Sequence, residues 1–156
     1  WGIEYQTEPN EEQKKYAKLL NELGVEVIIG GHPHVIQPAE IIHGKKQDTL
    51  CYYSVGNFLS SQDHNENMVG GMPTFTLNYD FDTKKTTFSH VKFIPTITWY
   101  NGNYQNYKVY TIEQWTDDLA ASHYCTVTDG EDMTKEWIDD YVKSIMGDPD
   151  GIEVVY

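Results

Sequence analysis

Basic side chains are scarce in this chain of 156 residues. Lysine and arginine together number 11 against 24 aspartates and glutamates, and the formal net charge is −13. No basic stretch offsets this charge, so the protein is expected to repel the phosphates of nucleic acids and the head groups of anionic lipids. The composition therefore argues against nucleic acid as a partner.

Long apolar runs are missing as well. No segment approaches the roughly 20 consecutive apolar residues that span a bilayer, and no secretion signal with a charged start and an apolar core is present. The first residues, WGIEYQTEPN, are neither a methionine start nor a tag, so we expect the chain to be a piece of a longer protein. Its length suits a single domain with one core.

Cysteine occurs at only two positions, Cys51 and Cys125. A disulfide between these two cysteines would be compatible with an exported protein. Cys51, however, lies in the apolar run TLCYY, where a buried free thiol is the commoner outcome. The sequence therefore favours free thiols.

Hydrophobic spacing predicts an α/β chain. Asn10 and Gln13 have the spacing of a capping box, and apolar residues recur at helical spacing up to Gly24, so a helix is expected over about residues 11–23. The β-branched run VEVII then predicts a strand that ends at Gly30. Two more strands are predicted in AEIIH and TLCYYSV.

The second half of the chain predicts a loop, a hairpin and helices. Residues 60–72 are polar and carry glycines, as expected for a mobile loop. The alternating segments PTFTLNYDF and TTFSHVKFI flank the turn DTKK and predict an antiparallel hairpin, with a further strand after the next Asn-Gly turn. Thr111 is predicted to cap a helix reaching about residue 121, and Thr134 to cap one that ends before Gly147.

The segment GGHPHVIQPAE carries the strongest functional signal. It follows the predicted strand directly, and ligands of open α/β sheets bind at such strand ends. Gly30 and Gly31 allow close approach of another group and backbone conformations closed to other residues. Pro33 is expected to hold His32 extended, so that His32 and His34 point to the same side and meet one metal ion or a close pair.

Two histidines do not complete a metal site, because a structural zinc site has four ligands and a catalytic one takes at least three from the protein. The remaining ligands must come from elsewhere. The alternative interpretation, loop histidines that only hydrogen-bond the backbone, is the commoner one for an arbitrary His-x-His pair. The preceding strand, the double glycine and the proline together favour the metal site.

The ordered motifs of the first 60 residues resemble those of one known family. The motifs are Trp1-Gly2, Glu4, Gln13, Gly31-His32-Pro33-His34, Glu40 and Ser54-Gly56-Asn57-Phe58. They resemble the second half of the CapA-type bacterial capsule-synthesis proteins, which are linked to poly-gamma-glutamate capsule production. The resemblance is specific up to about residue 60, weakens over the hairpin towards Pro95 and is lost beyond about residue 100.

This resemblance implies the C-terminal half of a calcineurin-like metallophosphoesterase fold, a layered α/β sandwich with an antiparallel hairpin and C-terminal helices. In the family, the histidines that match His32 and His34 ligate a pair of divalent metals, which would be Mn, Zn or Fe. The family's other ligands and its catalytic histidine match no residue of this chain. The resemblance therefore implies a fragment that holds metal weakly or not at all and is inactive by itself.

Two further residues are candidates for catalysis. Glu4 lies in the WGIEY match and is expected to orient a histidine or touch substrate, with a merely solvated carboxylate as the alternative. Asn57 follows Gly56 at a strand end and could donate to a substrate oxygen, with an Asn that holds a turn as the alternative. Glu40 is a weaker candidate than Glu4. The other histidines are interpreted as structural or solvated: His43, His64, His90 and His123.

The function implied by the resemblance is capsule or poly-gamma-glutamate biosynthesis through a dinuclear-metal hydrolase of phosphoesters. The alternative is a non-catalytic cell-surface module that binds or handles anionic capsule polymer. Residues 1–100 are expected to be the C-terminal part of the capsule-synthesis domain, and residues 101–156 an extension packed on it.

The expected partners are the missing N-terminal half of the same protein and either anionic capsule polymer or a phosphoester substrate. A homodimer of the fragment is also expected, because an incomplete sandwich would expose apolar sheet that pairs with another copy. The implied location is extracellular or at the cell surface, with membrane association through the missing N-terminal region.

Overall fold

A computed structural model describes all 156 residues and shows two mixed β-sheets with several helices. The elements, in chain order, are α1 (Glu11–Leu23), β1 (Val27–Ile29), β2 (Ala39–Ile42), β3 (Thr49–Tyr52), α2 (Asn65–Met68), β4 (Val69–Asp80), β5 (Lys85–Asn101), β6 (Gln105–Thr111), a 3-10 turn (Ile112–Gln114), α3 (Asp117–Ser122), α4 (Cys125–Asp129), α5 (Lys135–Met146) and β7 (Glu153–Val154). The predicted α/β class is confirmed. None of the helices has the length and hydropathy needed to cross a bilayer.

Helix α1 begins and ends where its sequence signals predict. The backbone N–H of Gln13 donates to Oδ1 of Asn10 at 2.8 Å, and the backbone N–H of Asn10 donates to Oε1 of Gln13 at 3.0 Å. This reciprocal pair satisfies two of the amides left free at a helix start. Gly24 ends the helix in the left-handed conformation, with a φ of 96°.

The first sheet has the strand order β1-β3-β2, with β1 parallel and β2 antiparallel to β3. Helix α1 packs on one face of this sheet, where Ala17 contacts a small cluster that includes Ile28 and Cys51. Leu50 and Tyr52 point to the other face and join the main core. All three strands were predicted from the sequence, and the parallel β1–β3 pair positions the motif that follows β1.

The second sheet is built on the hairpin of β4 and β5, which is confirmed and is longer than predicted. Its strands pair from Val69 opposite Ile97 to Asp80 opposite Lys85, with a bulge between Thr74 and Thr76. Strand β6 adds to β5 after the predicted Asn-Gly turn, and β7 pairs with β5 in parallel. An isolated bridge between Gly56 and Gly70 joins the segment that follows β3 to strand β4.

The predicted loop over residues 60–72 is wrong in its second half. Asn65–Met68 forms the short helix α2, and β4 begins at Val69. The helix starts where Oδ2 of Asp129 accepts the backbone N–H of Asn65 at 2.6 Å. Met68 and Val69 are fully buried, so tertiary contacts order a segment whose local composition is typical of a loop.

The helix predicted from Thr111 to about residue 121 is interrupted. Thr111 and Gln114 do form a capping box, but they enclose only a 3-10 turn, and α3 starts afresh after the N-cap Thr116. Trp115 lies between the two elements and is completely buried. Burying this large side chain determines where the helix breaks. Helix α5, capped by Thr134 as predicted, is continuous up to Gly147.

One main core cluster of 19 buried residues joins the two sheets and the C-terminal helices. It contains Ile36 and Leu50 from the first third of the chain and Trp115 and Ile138 from the last third. The division into residues 1–100 and an extension remains a prediction, although the core is continuous across it.

Both cysteines are buried free thiols, as the sequence favours. Burial raises the pKa of the Cys51 thiol, and likewise that of Cys125, to about 12, because the apolar surroundings penalise the thiolate. Neither thiol is therefore poised for nucleophilic chemistry. His123, also buried, is held through both ring nitrogens, since Nε2 lies 2.7 Å from the Thr98 oxygen and Nδ1 accepts the backbone N–H of Cys125 at 3.0 Å.

Candidate functional site

The histidine motif extends directly from the β1–β3 ladder. The backbone N–H of Gly30 donates to the Tyr52 oxygen at 2.8 Å, and that of Val55 donates to the Gly30 oxygen at 3.1 Å. The chain then turns through His32 and His34 and bridges back at Ile36, which pairs with Val55. The motif is thus a loop fixed at both ends against the segment that follows β3.

The two glycines of the motif have different roles. A Cβ atom at Gly30 would overlap the Tyr53 carbonyl oxygen and the indole nitrogen of Trp1, whereas nothing lies within 4 Å of a Cβ at Gly31. Neither glycine has a positive φ. A close approach is therefore observed at Gly30 alone, and neither glycine uses the positive φ that its residue type allows.

The two histidines are brought together by turns and not by an extended segment. His32 has a φ of 98° and His34 a φ of 60°, both in the left-handed region, so the expected extended conformation is wrong. Pro33 is buried between them, and its carbonyl oxygen accepts the backbone N–H of Tyr5 at 2.7 Å. This anchoring bends the loop, and the imidazole ring centroids still lie 6.1 Å apart. Left-handed non-glycine residues carry strain of the kind that concentrates at functional sites.

Asn57 fixes the orientation of His34. Its Oδ1 lies 3.0 Å from Nδ1 of His34. Its Nδ2 is surrounded by four oxygens, among them the side-chain oxygen of Gln62 at 2.9 Å and the backbone oxygen of Asn67 at 3.1 Å. The amide nitrogen must therefore face these acceptors, and Oδ1 can only accept a hydrogen bond donated by Nδ1–H of His34. In the neutral ring Nδ1 carries the hydrogen, which leaves the lone pair on Nε2.

This tautomer is a testable consequence of the site geometry. At about pH 8.5, we expect ¹⁵N NMR to show His34 protonated on Nδ1. The variant Asn57→Ala should lose this preference, while the spectrum of His90, an exposed histidine far along the chain, should not change. A His34 ring protonated on Nε2 in the unaltered protein would contradict the assignment.

Glu4 is the carboxylate that lies nearest to His34. Its Oε1 is 3.8 Å from Nε2, and both side chains are partly exposed. The ring of Tyr5 lies beside the same imidazole at a centroid distance of 6.1 Å. The structure therefore places Glu4, Asn57, His32 and His34 in one site.

A pocket of about 480 Å³ opens beside this site, lined by Tyr5, Gln62, Asp63, His64, Glu66 and Asn67. Asn67 connects this pocket to the histidine loop, because it lines the pocket and its Nδ2 donates to the His34 carbonyl oxygen at 3.1 Å. His64 Nδ1 lies 2.7 Å from Oδ1 of Asp129, and this hydrogen bond raises the pKa of His64. Sequence reasoning missed the pocket because it lies in the segment predicted as a loop, where no residue spacing indicated a site.

Several motif residues support the loop without facing the site. Nε2 of Gln13 donates to Oε1 of Gln37 at 2.7 Å, and both side chains are buried. Ser54 Oγ donates to the Val35 oxygen at 2.8 Å. The indole of Trp1 donates to the Tyr53 oxygen at 2.6 Å and stacks on the Tyr53 ring.

Glu40 lies outside the site. Its Oε1 accepts the phenolic hydroxyl of Tyr53 at 2.7 Å, in a separate cleft on the α1 side of the first sheet. The structure therefore gives Glu40 a contact with Tyr53 and none with either histidine of the motif.

The side chains present suit part of a metal site. The imidazole of His32 and the Nε2 atom of His34 each have a lone pair that a metal ion could bind. The hydrogen bond between Nδ1 of His34 and Asn57 is the kind of support that metal-ligating histidines usually have. No group of three or more His, Cys, Asp or Glu side chains in the chain is arranged to hold a metal ion. The chain thus brings two histidines and a carboxylate near one another, and the three do not form such a group.

The comparisons with known proteins concern this same segment. The model of the family described as "Bacterial capsule synthesis protein PGA_cap" matches residues 1–62. Over 62 residues the chain is 40% identical to the "PGA biosynthesis protein CapA" of Bacillus subtilis (strain 168) and 36% identical to the "Capsule biosynthesis protein CapA" of Bacillus anthracis.

Each match covers 40% of this chain, but only 15% and 14% of the respective relative, so the chain spans a small part of the length of the curated relatives it matches. No solved structure matches the chain significantly. The matched residues contain the whole candidate histidine loop together with Glu4 and Asn57. Over residues 1–62 the chain is similar to CapA-type bacterial capsule synthesis proteins, and the resemblance inferred from its motifs is confirmed for that part.

Proposed function

We propose that this chain is part of a protein of capsule or poly-gamma-glutamate biosynthesis whose complete domain is a dinuclear-metal hydrolase of phosphoesters. The biosynthetic role is supported by the match over residues 1–62 and by the names of the two Bacillus relatives. The chemistry is supported by one observation above others, the orientation of His34. Its Nδ1 is hydrogen-bonded to Asn57, and the lone pair of its Nε2 is left to bind a metal ion, with the His32 ring at a centroid distance of 6.1 Å.

In this proposal His32 and His34 are ligands of a divalent metal pair, Mn, Zn or Fe. Bound metals of this kind supply an activated water and stabilise charge on the leaving oxygen. Asn57 is a positioning residue, because its amide nitrogen is committed to protein oxygens and its oxygen faces His34. Glu4, 3.8 Å from Nε2 of His34, orients the ring or contacts substrate. The pocket beside them is where the substrate would lie.

The remaining metal ligands would come from an N-terminal part of the complete protein. The surface of the chain supports such a partner, because β1 is an edge strand whose second side is unpaired. Large apolar side chains are exposed on and around this strand and on α1: Ile3, Tyr16, Leu19, Leu23 and Ile29. Open strand edges and apolar patches are typical of surfaces that pair with another segment. In the isolated chain the same surface would support a homodimer.

The metal content of the full-length protein tests this function. We expect elemental analysis to find about two equivalents of a transition metal, and the double variant His32→Ala/His34→Ala to lose them together with hydrolysis of phosphomonoester or diester substrates. A matched control is His43→Ala/His90→Ala, since both of these histidines are exposed and lie outside the site. A full-length protein that carries no metal as purified, and takes up none when Mn or Zn is supplied, would contradict the hydrolase.

A second function, a non-catalytic module that binds or handles anionic polymer at the cell surface, is favoured by a separate observation. Four of the 11 lysines of this acidic chain line one cleft, which does not include the histidines of the motif. Metal content distinguishes the two functions. Polymer binding without metal would favour the module, and bound metal with hydrolysis would favour the enzyme.

A further inference from the structure

A cleft of about 740 Å³ lies between α1 and the connection from β2 to β3. One wall is the face of α1 that carries Lys14 and Lys18, which are one helical turn apart and therefore project from the same side. The other wall is the turn that carries Lys45 and Lys46. The cleft exists because a single helix packs against a three-stranded sheet and leaves the same face of β2 uncovered next to it.

The charge of this cleft is opposite to that of the chain. The chain contains no arginine and carries a net charge of −13, yet four of its 11 lysines line the cleft. Glu22 and Glu40 are the acidic residues of the lining, so four positive charges face two negative ones. The oxygen of Glu40 already accepts the hydroxyl of Tyr53. A local surplus of positive charge on a strongly acidic protein attracts anions to one place.

Most of these lysines have no partner within the protein. Lys18, Lys45 and Lys46 form no ion pair, and the single ion pair of Lys14, with Glu11 at 3.4 Å, joins two exposed side chains. Exposed pairs of this kind contribute little to stability. The ammonium groups are therefore free to bind a ligand without first breaking a stabilising contact.

We infer that this cleft binds a flexible polycarboxylate chain, with Lys14 and Lys18 on one side and Lys45 and Lys46 on the other. Several weak contacts in one cleft add up when the anions belong to one polymer, so a polymer should bind where a single anion does not. A flexible chain can enter between the two walls while the acidic surface around the cleft repels it. That the anions are carboxylates of a polyglutamate rests on the proposed function, while the place of binding follows from the cleft itself.

The test is binding of poly-gamma-glutamate oligomers to the 156-residue chain at low salt, measured by isothermal titration calorimetry. Because exposed charges are screened by salt, raising the ionic strength to about 0.5 M should weaken binding strongly. Each double variant, Lys45→Gln/Lys46→Gln and Lys14→Gln/Lys18→Gln, should weaken binding about fivefold, the equivalent of about 1 kcal/mol for two exposed contacts. Glu22→Gln, which removes a repelling charge, should tighten binding.

The control variant Lys108→Gln/Lys135→Gln changes the net charge equally but lies outside the cleft, and it should bind like the unaltered chain. Equal loss in this control, unchanged binding in both cleft variants, or no binding at low salt would overturn the inference. Preferential binding of inorganic polyphosphate over poly-gamma-glutamate would overturn the polycarboxylate assignment. None of these measurements depends on metal or hydrolysis, so a failed hydrolase leaves this result unaffected.

Discussion

Replacement of Gly30 by alanine is expected to destabilise the protein by about 3 kcal/mol and to displace the histidine loop, because inserting a methyl group into a closely packed site is costly. The new Cβ would overlap the Tyr53 carbonyl oxygen and the Trp1 indole nitrogen. Moving Trp1 would relieve only its own overlap, and relief of the overlap with the Tyr53 backbone requires Gly30 to move away from the segment that follows β3. The second movement would break the hydrogen bonds of Gly30 with Tyr52 and Val55.

Gly31→Ala is the matched control for this prediction. It adds the same methyl group one residue later, where no atom lies within 4 Å and φ is not positive. Urea unfolding followed by tryptophan fluorescence should give a free energy of unfolding near that of the unaltered chain for Gly31→Ala and a clearly lower one for Gly30→Ala. Similar values for the two variants would show that Gly30 does not lie as close to Tyr53 and Trp1 as described.

The second large effect is expected at Trp115, where substitution by alanine should lower the free energy of unfolding by about 3–5 kcal/mol. The side chain is fully buried, packs edge-on against Tyr110 and donates its indole N–H to the Met133 oxygen at 2.6 Å. Removing it leaves a cavity and an unpaired carbonyl group, and both destabilise the fold. Because the main core also contains Leu50 and Tyr52, the midpoint of the whole unfolding transition should fall.

Trp137→Ala removes the same side chain from a less buried position and serves as the control. Trp137 stacks on Tyr141 at the surface of α5 and donates to an exposed carboxylate, that of Glu131. We expect Trp137→Ala to lower the free energy of unfolding by less than half as much as Trp115→Ala does. The variant Trp115→Phe keeps most of the buried volume but loses the hydrogen bond to Met133, so an intermediate value is expected. Equal costs at the two tryptophan positions would argue against the burial described for Trp115.

Local sequence signals were sufficient to predict those elements in which each residue interacts with near neighbours in sequence. The capping box of Asn10 and Gln13, the αL residue Gly24 and the alternating hairpin strands all depend on contacts within a few residues or on a regular period, and they were predicted correctly. The 3-10 turn and the helix α2 were not predicted. Both depend on distant partners, the burial of Trp115 in the core and the carboxylate of Asp129.

The candidate site shows the same division. The residue types and the position after a strand pointed to His32 and His34, and the motif match pointed to Glu4 and Asn57. How they meet was not predictable, because the left-handed turns at the two histidines depend on Pro33 being buried and bonded to Tyr5.

By itself, then, the sequence determined the α/β class, the first helix, the strands up to β6 and the histidine pair, since all of these follow from periodicity, capping and residue chemistry. Only the tertiary structure decided which nitrogen of His34 is free, that Asn57 is used to hold that ring, and that lysines about 30 residues apart in sequence share one cleft. These features need contacts between segments distant in sequence, and such contacts leave no periodic trace along the chain.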